Sequence, residues 1–110
     1  MSDRALCQAV CEMESGLIDA DLGGYLYKKR VARVGSGKSG GYRTLLSARL
    51  GSRYVFLLGF AKHTTANIAQ DEKRALQYAG KVFLGLADAA LVKAIQAGVL
   101  QEVHCDEQGY

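Results

Sequence analysis

Apolar residues recur at a helical spacing near the start of the chain. Between residues 3 and 14 they stand three or four positions apart, which is the period of one face of an α-helix. Gly16 follows where a glycine commonly ends a helix. The pattern predicts an amphipathic helix over residues 3–14, followed by a turn at residues 19–24. The positions that set the period are Leu6, Ala9, Val10 and Met13.

After residue 24 the hydrophobic period shortens to that of β-strands. Residues 25–34 interleave β-branched and aromatic side chains with bases, which predicts a strand near solvent. Four glycines among residues 35–41 predict a loop. Residues 42–50 and 53–60, separated by the dipeptide Gly-Ser, predict a β-hairpin. The second of these strands is nearly all apolar and is expected at the centre of the sheet.

The last third of the chain returns to a helical period. Asn67 and Gln70 resemble a capping box, and two acids follow in the first turn, where the helix dipole favours them. A helix is therefore predicted to run to about residue 86, and Asp88 is expected to cap a short third helix that ends before Gly98. The expected buried positions of the longer helix are Leu76, Ala79, Val82 or Phe83, and Leu86.

The order of these elements predicts the fold class. Residues 99–103 are expected to add a last short strand, and the chain shows neither βαβ alternation nor an internal repeat. We therefore predict an α+β fold in which an N-terminal helix packs on a small twisted antiparallel sheet, followed by C-terminal helices. The length of 110 residues predicts one domain over residues 1–110.

Charge is unevenly distributed along the chain. Residues 22–70 contain nine of the fourteen bases and no acid, so this centre carries +9. The flanks hold five bases and all eleven acids, a balance of −6 that leaves the chain at +3. A solvated face usually mixes the two signs, so the separation favours a phosphate-rich partner.

The cysteines and the hydropathy of the chain predict its cellular compartment. The chain has three cysteines, Cys7, Cys11 and Cys105, with no apolar leader near Met1 and no run of membrane-spanning length. These features predict a cytoplasmic protein with reduced thiols and no membrane association. A zinc site built from the cysteines and His104 is disfavoured because the tight CxxC spacing of a zinc knuckle is missing.

The stretch ARVGSGKS (residues 32–39) fits a loose form of the phosphate-binding loop of nucleotide hydrolases. A working loop of that kind needs a helix that starts at its Lys-Ser. Here Gly40 and Gly41 follow, and then a strand pattern; no acid appears until Asp71 to hold magnesium. We therefore expect Lys38 to be one base of a loop between two antiparallel strands.

Three segments of the chain resemble one known family. They are LYKKRVARVGSGKSGGYRTL (residues 26–45), FLLGFAKHTTANI (residues 56–68) and LVKAIQAGVLQEV (residues 91–103). The chain resembles the RelE/ParE superfamily of bacterial toxins from type II toxin–antitoxin systems, in particular the branch of HigB-type and phage-derived RelE-like proteins. The run GKSGGYR, followed by a hydrophobic strand and FAK, is the most specific part of the match.

The resemblance implies a function and partners. It implies an mRNA endoribonuclease, metal-independent and without a cofactor, that in many members acts in the ribosomal A site and so inhibits translation. It also implies a neutralising antitoxin, expected here to be a helix-turn-helix protein. The alternatives are a non-nuclease ParE-like toxin that acts through protein contacts, or a phage-derived binding module. Oligomeric state stays open.

Catalytic candidates follow from the chemistry of RNA cleavage. Attack by a 2′-hydroxyl on its own phosphodiester needs a base, an acid and cations on the pentavalent phosphate. Arg43 matches the strand arginine with which the family stabilises the phosphate, and a guanidinium can grip two oxygens at once. Lys62 is expected beside it at the end of the hairpin. His63, or a lysine with a lowered pKa, is the candidate for proton transfer.

The remaining candidates would bind RNA. The bases Lys28, Arg30, Arg33 and Lys38 are expected to hold flanking phosphates, while Tyr42 and Phe60 are expected to stack on nucleotide bases. Strand alternation puts Lys28 and Lys29 on opposite faces, so only one of them can face a given site. By the same alternation Tyr54, Phe56 and Phe60 should share one face as core residues. Of the three, Phe60 at the strand end is the best candidate for stacking on a base instead.

Overall fold

The computed structural model describes residues 2–33, 37–61 and 68–105. It shows the predicted α+β architecture: a helix, a four-stranded antiparallel sheet in the order β1-β2-β3-β4, and two further helices. The elements are α1 (Asp3–Glu14), β1 (Ala20–Gly23), β2 (Leu26–Arg33), β3 (Gly37–Arg49), β4 (Arg53–Ala61), α2 (Gln70–Leu84) and α3 (Asp88–Gln96). Among these residues, no helix is long and apolar enough to cross a membrane.

The first helix has the predicted bounds because both of its ends are capped. The Ser2 side chain accepts a hydrogen bond from the Ala5 N–H at 3.2 Å, and Gly16 follows the helix with φ +96°, a conformation that favours glycine. The helix packs Met13 against Leu46 and Ala48 of β3, and this cluster is the centre of the core. We call this side of the sheet the α1 face.

The second helix covers part of the opposite side, which we call the α2 face. Gly80 of α2 lies so close to β3 that a Cβ at this position would overlap Ser47 Oγ and lie 2.5 Å from Ser47 Cβ. Only glycine at position 80 and a small residue at position 47 permit this approach. The Gln77 amide of the same helix donates to the carbonyl oxygens of Leu22 (3.2 Å) and Gly23 (3.0 Å), which ties α2 to β1.

A β-bulge decides which way the end of β4 faces. Leu46 pairs with Phe56 but Leu45 pairs with Leu58, so one extra residue stands in β4 at this point. Phe56 packs with the core on the α1 face, whereas Phe60 pairs with Arg43 and lies on the α2 face. The prediction that Phe56 and Phe60 share a face is therefore wrong, because simple alternation cannot anticipate the bulge.

The sheet differs from the prediction at both of its edges. β1 forms where a turn was expected, and β4, expected at the centre, is the edge strand; β2 and β3 take the central positions. β3 begins at Gly37, so the prediction that Lys38 lies in a loop is wrong; the expectation that no helix follows Lys38 is confirmed. Residues 99–103 form no strand.

The C-terminal helices also correct the prediction in detail. α2 ends at Leu84, and of the two alternatives for its buried position Val82 is 46% exposed whereas Phe83 is half-buried. The N-terminus of α2 is capped by the Glu72 carboxylate, which accepts from the Ala69 N–H at 3.3 Å, while Asn67 lies outside the described residues. Asp88 is the first residue of α3, and Ala87 holds the cap position.

The cysteines are not all reduced, in contrast to the sequence-based prediction. Cys7 of α1 and Cys105 of the C-terminal segment form a disulfide with their Cα atoms 5.7 Å apart, and Cys11 is free. The sequence gives no hint of this pair because 98 positions separate its members. The disulfide also removes two of the cysteines from any zinc ligand set, and the described residues contain no cluster of three or more metal-binding side chains.

Candidate nucleic-acid interface

Two cations and an aromatic ring line up across three strands of the α2 face. Arg43 of β3 pairs with Arg30 of β2 on one side and with Phe60 of β4 on the other. Residues paired in this way present their side chains on the same face of a sheet. Lys28 lies two residues before Arg30 in β2 and therefore shares that face. The sheet thus brings together four of the predicted site residues.

These cations border a shallow cavity at the end of the sheet that α2 leaves open. The cavity has a volume of about 260 Å³ and is lined by Asp19, Lys28, Arg30 and Arg43. Three positive charges and one negative charge therefore surround a space open to solvent. Such an arrangement attracts an anion such as a phosphate group.

Asp19 is the residue of this site that sequence reasoning missed. Its N–H donates to the Lys28 carbonyl at 3.1 Å, and its carboxylate accepts from the Arg30 N–H at 2.8 Å. The same carboxylate oxygen lies 3.4 Å from Arg30 Nε. Asp19 thereby orients the Arg30 guanidinium. The only sequence signal was its place just ahead of the acid-free centre, and the expected turn at residues 19–24 concealed that it borders β2.

Arg43 is partly buried at the centre of the row. Its Nε is buried and has no hydrogen-bond partner within the described part of the chain. A buried donor without a partner is uncommon because its desolvation is uncompensated, and such groups concentrate at functional sites. The geometry leaves the arginine available to a ligand that supplies acceptors.

The other predicted residues either lie on the opposite face of the sheet or have side chains that the structure does not describe. Tyr42 pairs with Val31 and Ala61, one position away from the cationic row, so alternation places it on the α1 face and away from Arg43. Arg33 ends β2 opposite Gly37. Lys38 belongs to β3, but neither its side chain nor that of Arg33 is described. Lys62 and His63 lie outside the described residues.

Two residues of the basic centre, Lys29 and Arg53, serve the fold instead of the site. Lys29 is buried on the α1 face and forms an ion pair with Glu12 at 2.7 Å. Arg53 donates to the carbonyl oxygens of Phe83 (3.1 Å), Leu84 (3.3 Å) and Leu86 (2.8 Å), and so caps the C-terminal end of α2. The candidate interface therefore uses fewer bases than the nine that residues 22–70 contain.

Tyr54 is a partly buried tyrosine of β4 that packs against the core on the α1 face. Burial raises its pKa above the usual value, and the hydrogen bond and charge of Glu14 add to this; the Gly51 N–H acts in the opposite direction. The Tyr54 hydroxyl donates to Glu14 at 3.1 Å and accepts from the Gly51 N–H at 2.7 Å. Its hydroxyl is therefore engaged at the hairpin turn, away from the cationic row.

The chain was compared with known families and with curated proteins. The family model of the RelE toxin of the RelE/RelB toxin–antitoxin system matches residues 1–103. No curated protein matches the chain. Because the match spans nearly the whole chain, and the fold is the helix-on-sheet arrangement that the resemblance implied, the protein belongs to the RelE toxin family of toxin–antitoxin systems.

Proposed function

We propose that this toxin is an endoribonuclease that cleaves mRNA at the open end of the α2 face. The observation that carries the proposal is the row of Arg30, Arg43 and Phe60 across three strands. A single-stranded nucleic acid needs cations along its backbone and a flat surface for its bases, and the row supplies both. Family membership makes RNA the expected polyanion.

Arg43 has the central part in the proposed chemistry. When the ribose 2′-hydroxyl attacks the adjacent phosphodiester, negative charge grows on the phosphate oxygens of the pentavalent transition state. A guanidinium already in place stabilises that charge without reorganisation, an effect worth about 10²- to 10³-fold in rate for one donor group. Nothing among the described residues competes for the buried Arg43 Nε.

The neighbouring side chains hold the substrate. Lys28 and Arg30 would contact the flanking phosphates, and Phe60 would stack on a base next to the scissile bond. Asp19 acts through Arg30, because its carboxylate fixes both the backbone N–H and the Nε of that residue. Arg33 and Lys38 would extend the backbone contacts along the RNA.

The groups for proton transfer are proposed from the sequence, because Lys62 and His63 lie outside the described residues. His63 or Lys62 would take the 2′-hydroxyl proton and return one to the leaving 5′-oxygen. No step requires a metal or a cofactor, because the arginine supplies the positive charge. In members of this family that act on the ribosome, the ribosome itself can contribute to positioning, and we propose the ribosomal A site as the place of cleavage.

A toxin of this family has an antitoxin partner. We propose that the antitoxin is a helix-turn-helix protein encoded next to the toxin gene, and that both proteins act in the cytoplasm. A neighbouring gene for a small protein with that motif would support the pairing.

The proposal is tested by inducing the chain in bacteria and mapping messenger RNA ends by primer extension. The wild-type chain should arrest growth and create new 5′ ends within translated frames. Arg43→Ala should abolish both effects. Arg49→Ala is the matched control, because Arg49 is the same residue type in the same strand but lies at the far end, exposed.

Two results would contradict the proposal. If growth stops while messages stay intact, the toxin acts otherwise, and DNA gyrase assays would then test the ParE-like alternative. If Arg43→Ala and Arg49→Ala behave alike while both proteins are folded by circular dichroism, the site has been misplaced.

A further inference from the structure

A second cavity, unrelated to the cationic row, lies beside the edge strand β4. Its volume is about 560 Å³, and its walls are α1, the first residues of β4, α3 and the C-terminal segment of residues 99–105. Most of the wall is apolar, with Leu6 and Val10 from α1 and Leu91 and Ile95 from α3. The size falls in the range of cavities that bind small molecules or the anchor side chains of a peptide.

The C-terminal segment that forms one wall of this cavity has few hydrogen bonds to the rest of the described chain. α3, which precedes it, has no buried residue. The Val99 and Leu100 N–H groups donate to the Ala94 carbonyl at 2.9 and 3.2 Å, which finishes the helix. Further along, the His104 N–H donates to the Asp3 carboxylate at 3.2 Å. Four of the last five described residues are exposed, all except Val103.

The disulfide between Cys7 and Cys105 is the strong attachment of this segment. Cys7 is buried in α1, with 1% of its surface exposed, and Cys105 is the last residue of the segment that the structure describes. The bond therefore fixes the segment as one wall of the cavity. A hydrogen bond to an exposed carboxylate contributes little by comparison, and the entropy of a free tail opposes it.

We propose that residues 99–105 form a strap that a dithiol can release, and that its release uncovers an apolar groove between α1 and α3. In the disulfide form the strap is one wall of this groove. When the strap leaves, the apolar walls on both helices become accessible to solvent and to an apolar probe. The fold itself should stay intact, because the buried cluster of Met13, Leu46 and Ala48 includes no residue of the strap.

The release is a thiol–disulfide exchange. A thiolate of dithiothreitol attacks the exposed Cys105 sulfur, forms a mixed disulfide and expels Cys7 as a thiolate, which takes up a proton. The second dithiothreitol thiol then displaces Cys105 and closes the reductant into its cyclic disulfide. Two electrons and two protons pass in total from the reductant to the two cysteines.

The test follows thiols, the strap and the groove in the whole protein. Without reductant, the unfolded wild-type chain should show one thiol to Ellman's reagent, and after reduction three. Fluorescence of 8-anilinonaphthalene-1-sulfonate should rise several-fold on reduction of the folded protein, with unchanged far-ultraviolet circular dichroism. Cys105→Ser should give the high fluorescence without any reductant.

Cys11→Ser is the matched control, because Cys11 lies one helical turn after Cys7 and takes no part in the bond. This variant should respond to dithiothreitol as the wild type does. Three reactive thiols before reduction would overturn the proposal, and so would equal dye fluorescence in the two forms. Loss of the circular dichroism signal on reduction would also overturn it, since the bond would then hold the fold and not a releasable strap.

Discussion

Lys28 and Lys29 are neighbours in β2, yet the two faces of the sheet use them in opposite ways. Lys29 points to the α1 face, where its side chain is 4% exposed and its ammonium group pairs with Glu12 at 2.7 Å. Lys28 points to the α2 face and borders an open cavity with Arg30 and Arg43. On the α1 face the lysine is therefore neutralised by an ion pair in the core. On the α2 face the lysine is one of three cations that line an open cavity.

The difference shows how one strand can carry both stability and binding. A buried charge needs a partner, because desolvation of an unpaired ion costs several kcal/mol. Cations that border an open cavity can stay partly hydrated, and their mutual repulsion is relieved when an anion binds. Asp19, beside Arg30, offsets only part of the positive charge.

The α2 face is itself divided. At one end Gly80 of α2 lies against Ser47 and leaves no room for a ligand. At the other end Arg43 lies in the same strand as Ser47, and its buried Nε has no partner among the residues described. The helix therefore sets the boundary of the candidate site, and the residues at its contact should affect stability and not RNA binding.

The largest expected effect lies on the α1 face. Glu12→Ala leaves the buried Lys29 ammonium without its partner and should lower the free energy of unfolding by about 3 to 5 kcal/mol. Urea denaturation followed by circular dichroism measures the change. Glu14→Ala is the matched control on the same helix; it removes only the exposed hydrogen bond with Tyr54 and should cost no more than about 1.5 kcal/mol. Equal losses in both variants would contradict a structural role for the buried pair.

A smaller effect is expected where α2 meets the sheet. In the middle of a helix, Gly→Ala normally stabilises by about 1 kcal/mol. At position 80 the added methyl group would overlap Ser47 Oγ, so Gly80→Ala should instead destabilise by about 1 to 3 kcal/mol. The same substitution in a Ser47→Gly background should cost much less, because the obstructing side chain is gone. A stabilising Gly80→Ala in the wild-type background would show that α2 packs less closely.

Lys28→Ala should have the smallest effect on the fold. The free energy of unfolding should change by no more than about 0.5 kcal/mol, because the half-buried Lys28 borders an open cavity and not the core. Binding of a single-stranded RNA, measured by fluorescence anisotropy over a range of salt concentrations, should weaken, with a salt slope lower by about 0.7 for one lost phosphate contact. If binding is unchanged, Lys28 does not contact the RNA.

The sequence was sufficient for the elements whose signals are local. The period of residues 3–14 and the following glycine predicted α1 to the residue, and the alternation around Lys28 and Lys29 predicted their opposite faces. The family assignment also followed from short segments and is confirmed. Assignment to the HigB-type branch stays a prediction.

The features that sequence reasoning missed depend on distant parts of the chain. The bulge that turns Phe60 away from Phe56 depends on the pairing of β3 with β4. The disulfide joins residues 98 positions apart, and Asp19 meets Arg30 only after β1 folds back on β2. The apolar composition of β4 suggested a central strand, but β4 is an edge strand in which Phe56 packs against the core and Leu58 is exposed.

The most direct test of the proposed RNA site is the single-turnover rate of mRNA cleavage on programmed ribosomes with purified protein. The proposed role of Arg43 predicts that Arg43→Ala slows cleavage by about 10²- to 10³-fold, the effect of removing one preorganised donor from the transition state. Arg49→Ala, in the same strand, should stay within about twofold of the wild type, as expected for an exposed residue outside the site. Equal rates for Arg43→Ala and the wild type, with both proteins folded, would contradict the assignment of the open end of the α2 face as the site of RNA cleavage.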